Sequence, residues 1–172
     1  MNWTDLLKKE IESAYKVTEG LIDLVDEDTL DWKPSTGTNW MTTGQLLKHL
    51  TNACGSCFCG FVTGDWGLPS GSETEELPHE EMLPPAEKLP AVGSVAEAKK
   101  LLAEDKQLAL EMLAKSGENN LANKIVTAPW DPTEMLLSYR LLQMVEHLNQ
   151  HKSQLFYYLK LQGKPVNTSN LW

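Results

Sequence analysis

The sequence predicts an all-α protein, a four-helix bundle of the up-down type in which residues 1–172 form one domain. Three observations predict it. Four long stretches carry apolar residues at helical period. Each of them opens on a recognisable capping signal. No alternating run is long enough to build a sheet, and no internal repeat is visible.

The first helix is expected from about Trp3 to Val25, with Asn2 as N-cap and Asp5 three residues on. Leu6, Leu7, Ile11, Ala14, Val17, Leu21 and Leu24 form its apolar stripe. The segment DEDTLDWKPSTGTNW then breaks it through Pro34 and Gly37, and carries Trp32 and Trp40 as core plugs. The second helix begins at Thr42, where Gln45 completes a capping box and Met41 can staple to Leu46. It is expected to run through Leu50 and Phe61 to Gly64, with Gly55 and Gly60 permitting a neighbour to approach closely.

Residues 65–93 change character, with five prolines, several glycines and a cluster of acids. So long a structureless loop is uncommon in a compact domain, and an excursion or a lid is expected. His79 falls in it, and a solvated loop histidine is the default reading. Ser94-Val-Ala-Glu97 opens the third helix with a second capping box, and Gly117 closes it. KIVTAPW can make a short extended segment before Asp131-Pro132-Thr133-Glu134, which reads as N-cap, N1 proline and N3 acid of the fourth helix. That helix is expected to reach about Gln162, where Gly163 and Pro165 end it.

Bulk properties exclude several classes of function. A chain of 172 residues is long enough to bury a large core without staples. A net charge of −9 argues against nucleic acid and anionic membrane as partners, because both select a basic patch. No apolar run approaches a membrane span, and the first residues lack the apolar core of a signal peptide. A cytoplasmic protein is expected. Cys54, Cys57 and Cys59 crowd into six residues, an arrangement that suits packing thiols better than a disulfide framework. On a continuous helix Cys57 would stand about 12 Å from His49, too far to share a ligand.

The chain has four histidines, and two of them, His147 and His151, are four residues apart on the fourth helix. That spacing stacks two imidazoles on one face. His49, on the second helix, can join them and make a metal site with open coordination positions. Imidazole ligands do not identify the ion, and Zn, Ni, Fe or Mn are candidates, as is Cu by ligand type. Each histidine should also give its other ring N–H to an acceptor. Gln45 is the candidate beside His49, and Gln143 and Gln154 are the candidates on the fourth helix. Asp105, within the stripe of the third helix, is a candidate base or outer partner, or else lies at the stripe's margin or pairs with a cation. Arg140 is a candidate for orienting an anionic substrate. The residues alone leave packed, hydrogen-bonded histidines as an alternative to a metal site.

Three segments, Trp40 to Leu50, Trp130 to Glu134 and His147 to Pro165, resemble the DinB/YfiT-like superfamily in motif and order. That resemblance implies a four-helix bundle, commonly a homodimer, with a divalent cation on His49, His147 and His151. Relatives in the superfamily include metal-dependent transferases and isomerases that use low-molecular-weight thiols. The expected function is thus a metal-dependent transferase or hydrolase acting on a small molecule, with a low-molecular-weight thiol as possible co-substrate. The competing expectation is a non-enzymatic module that holds a metal or small ligand in a closed shell, completed by Asp105 or His79. The acidic segment 65–93 and the cysteine cluster distinguish this chain from any one subgroup.

Overall fold

The computed structural model describes residues 2–67 and 84–172, so His79 lies outside the described residues. Helices dominate it. α1 spans Trp3–Ile22, α2 Thr43–Leu50, α3 Gly55–Thr63, α4 Val95–Asn123 and α5 Leu137–Leu161. A small antiparallel hairpin, β1 (Ile125–Ala128) and β2 (Asp131–Leu136), precedes α5.

The cap signals at three helix starts are realised. The Asn2 side chain accepts the Asp5 N–H at 2.8 Å. Thr42 and Gln45 form a reciprocal capping box, which satisfies two N–H groups that the helix leaves without internal partners. Ser94 accepts from the Glu97 N–H at 3.0 Å, although the Glu97 carboxylate turns to the Gly93 N–H instead of closing the box.

Three expectations are corrected. The second helix is not continuous: a turn over 51–54 separates α2 from α3, and Cys54 stands at the break rather than mid-helix. Gly117 interrupts α4 as expected, with a positive φ of 68° that no right-handed helix contains, but a further helical stretch that the sequence did not announce follows to Asn123. Asp131 to Glu134 lie in β2, so the class is not purely α. There Asp131 Oδ1 accepts the Thr133 N–H at 3.0 Å, and the β1 partner takes up backbone groups that a helix would have used. α5 has no side-chain cap, but the Leu137 N–H reaches the Lys124 carbonyl at 2.8 Å, so the end of α4 caps the start of α5.

α1 packs on α4 and α5, α3 packs on α4, and both α2 and α3 pack on α5. Leu7, Ile11, Leu21, Leu46, Leu47, Leu50, Leu141, Leu148 and Leu155 meet in one core and are fully buried. Each such side chain contributes about 1.5–3 kcal/mol by leaving water. The described end of the proline-rich segment is docked along α2. The Gln45 Nε2 group donates to the Leu89 carbonyl at 2.8 Å, and the Val92 N–H donates to the Gly44 carbonyl at 3.1 Å. Among the described residues, no helix is long and apolar enough to cross a membrane.

Candidate metal centre

His49 sits in the last turn of α2, and His147 and His151 occupy consecutive turns of α5. Because α2 packs on α5, the three rings meet. The Nε2 atoms of His49 and His147 are 3.2 Å apart, and those of His151 and His147 are 3.1 Å apart. One ligand atom from each residue lies within 4.8 Å of the others, and all three residues are half-buried. Neutral imidazole offers a bare lone pair on one nitrogen only, so the tautomers decide whether these atoms repel or can share an ion.

The second nitrogens answer that question. His147 Nδ1 lies 3.2 Å from the Ala53 carbonyl, which can only accept; Nδ1 therefore carries the proton and Nε2 is bare. His151 Nδ1 lies 3.0 Å from Gln154 Oε1, an arrangement of the same kind. Bare nitrogens crowded to hydrogen-bond distance without protons between them are unfavourable alone and complementary to a cation. The donor set thus fits a divalent ion, with His147 and His151 each oriented by an outer acceptor.

Burial reinforces this state. It pushes His49 down to about 4, helped by the neighbouring charges of His151 and then His147. It also lowers His147 and His151, opposed by their bonds to Ala53 and Gln154. All three rings are neutral at physiological pH, the form that ligates.

The expected outer partners divide. Gln154 serves His151 as the sequence suggested. Gln45 is used by its capping box and by Leu89, and Gln143 accepts from Arg140 at 3.2 Å. The Ala53 carbonyl was missed, because a backbone acceptor leaves no mark on residue identity. It reaches His147 only because the helix breaks at 51–54.

Asp105 is buried, and its carboxylate accepts from Tyr15 Oη at 2.6 Å, the Gly55 N–H at 3.0 Å and the Ser56 N–H at 2.9 Å. It lies neither at the stripe's margin nor against a cation: it caps α3 from across the core. Burial pushes its carboxyl above the ordinary value, while the hydrogen bonds from Tyr15, Gly55 and Ser56 oppose that shift. Arg140 is also buried. Its guanidinium donates to Asp131 Oδ2 at 2.9 Å, to the Thr133 carbonyl and to Gln143, and it faces the Phe61 ring at 6.0 Å. Cys54, Cys57 and Cys59 are free thiols. Burial raises Cys54 well above its ordinary value and pushes Cys57 up to about 12, which makes both poor nucleophiles.

Two packed helices that converge three imidazole Nε2 atoms, those of His147 and His151 bare, define a helical protein able to hold a divalent metal. The chain belongs to the DinB superfamily, whose family model matches residues 10–155, a span that contains all three histidines. Among curated proteins, none matches the chain.

Proposed function

We propose that the protein is a metal-dependent transferase or hydrolase acting on a small molecule, with its divalent cation on His49, His147 and His151. The observation that carries this reading is the convergence of three Nε2 atoms, two of them 3.1 and 3.2 Å from the third. When bound, the cation supplies Lewis acidity that makes a coordinated water or thiol nucleophilic near neutral pH. The residues of the chain hold and orient: Ala53 fixes the ring of His147, and Gln154 fixes that of His151.

Three protein ligands leave coordination positions for water or substrate, the pattern of catalytic sites. A shell closed by Asp105 is not supported, because its oxygens are already shared among Tyr15, Gly55 and Ser56. We assign Asp105 and Arg140 structural roles, the first as the cap of α3 and the second as the clamp of the hairpin. The reading includes an up-down bundle and a homodimer. Tyr139, Tyr157 and Leu161, at 50, 62 and 66% exposure along α5, offer apolar surface for a second copy.

The experiment is to load the protein with Co²⁺ and titrate it with a small thiol. A sulfur-to-cobalt charge-transfer band, absent in His147→Ala, is expected, together with turnover in a thiol-transfer or hydrolytic screen. A cobalt spectrum that neither thiol nor pH alters would mean a closed shell and contradict the enzymatic reading.

A further inference from the structure

Tyr158 is 2% exposed, and its hydroxyl lies 2.9 Å from the Met41 carbonyl and 3.1 Å from Gln154 Nε2. Gln154 in turn places Oε1 3.0 Å from His151 Nδ1. The direction of every proton in this chain follows from its far end. A carbonyl only accepts, so the Tyr158 O–H is spent on Met41 and its oxygen faces Gln154 as an acceptor. The Gln154 amide must then turn its NH₂ group to Tyr158 and its oxygen to His151. That oxygen admits only the Nδ1–H tautomer of His151, and Nε2 is left bare beside His147. A flipped amide would set an N–H against Nδ1 and draw the tyrosine proton away from the buried Met41 carbonyl.

We propose that Tyr158, acting through Gln154, is the positioning residue that selects the ligating tautomer of His151. The inference rests on the cation reading above for its purpose, but not for its geometry. The surroundings hold the phenol for this task. Trp32 and Trp40 meet its ring edge-on, with centroids 5.2 and 6.3 Å away. Met41 immediately precedes Thr42, the N-cap of α2, and His49 lies at the other end of that short helix. One line of hydrogen bonds therefore joins a ligand on α5 to the helix that supplies another. Trp32, half-buried against the core, and Trp40, which at 36% exposure is not the core plug the sequence suggested, thus both pack against the anchor of a metal ligand.

The test uses Tyr158→Phe, which deletes the hydroxyl and keeps the ring between the tryptophans, and Gln154→Leu at a half-buried position. The ¹⁵N shifts of the imidazoles are recorded on the metal-free chain at about pH 8, above the ordinary histidine range. Zn²⁺ affinity is measured separately by chelator competition. The wild type is expected to hold His151 as the Nδ1–H tautomer, and each variant to show a mixture. Zn²⁺ affinity should fall by about 10-fold in Gln154→Leu, the lower end for loss of an outer partner, and by less in Tyr158→Phe. Altered stability alone would not change the tautomer. An unchanged Nδ1–H tautomer in both variants, or an Nε2–H tautomer in the wild type, would overturn the proposal even if Zn²⁺ binds. Should the tautomer shift as expected while no form takes up Zn²⁺, the relay stands and the cation reading fails.

Discussion

Gly55 lies against Asp105 so closely that a Cβ added to it would stand 2.0 Å from the Asp105 carbonyl oxygen. No side chain other than hydrogen fits there. The contact lets the Asp105 carboxylate reach the first N–H groups of α3, which Cys54 does not cap through its own side chain. It thereby fixes the break between α2 and α3, and that break aims the Ala53 carbonyl at His147.

Gly55→Ala must push α3 away from α4, and strain of this kind costs about 1–3 kcal/mol or more. Asp105→Ala leaves the Tyr15 hydroxyl and two backbone N–H groups without their acceptor and is expected to cost on the order of 3 kcal/mol. Urea denaturation should show both losses. Weakened Zn²⁺ binding should accompany them, because the Ala53 carbonyl moves with the start of α3.

Arg140→Lys is expected to behave differently. The fork that spans Asp131 and Thr133 cannot be copied by an ammonium, and Asp131 loses part of what holds it down at about 2, although hydrogen bonds from Thr133 are the larger cause. The thermal midpoint should fall by several degrees while metal stoichiometry stays at the wild-type value. A variant of unchanged stability that loses turnover would show instead that the guanidinium meets substrate.

The two ends of α5 show what a sequence can and cannot disclose. His147 and His151 were legible because helical spacing alone puts them on one face, and His49 because it follows a strong capping box on a second apolar helix. The start of α5 was not legible. Asp131-Pro132-Thr133-Glu134 satisfies every local rule for a helix start, yet it is held extended by pairing with β1 and by the Arg140 clamp, both tertiary. The break before α3 was hidden for the same reason, since its capping carboxylate lies 50 residues away in sequence. Ala53 could not be found at all, because its contribution is a carbonyl that every residue possesses.

The metal-free protein should lose stability on mild acidification. His49 in the fold is lowered to about 4 from an ordinary value of 6.5, first by burial and then by its histidine neighbours. The unfolded chain therefore binds more protons between these values, and stability rises with pH across that window. It is fully present above about 6.5 and declines as pH falls toward about 4. The urea midpoint of His49→Gln should follow pH less steeply over the same range. Saturating Zn²⁺ should raise the wild-type midpoint at neutral pH and lose that effect as protons compete for the ligands.

Thiol chemistry offers a further check. Cys54 is fully buried and Cys57 is pushed up to about 12, so neither should react with Ellman's reagent in the native protein at neutral pH. Both should react on unfolding. Rapid native labelling of Cys57, resolved by peptide mass analysis, would contradict the packing role of this pair.

The most direct measurement is elemental analysis of protein purified without a nickel column or chelator, comparing the wild type with His147→Ala. His147 stands between the other two ligands, so its loss removes the nitrogen that both approach. The expected result is about one divalent ion per wild-type chain, as three converging ligands imply, and essentially none in the variant. Equal metal in both proteins, or none in either after reconstitution with Zn²⁺, Ni²⁺, Fe²⁺ and Mn²⁺, would contradict a three-histidine centre and make these residues elements of packing.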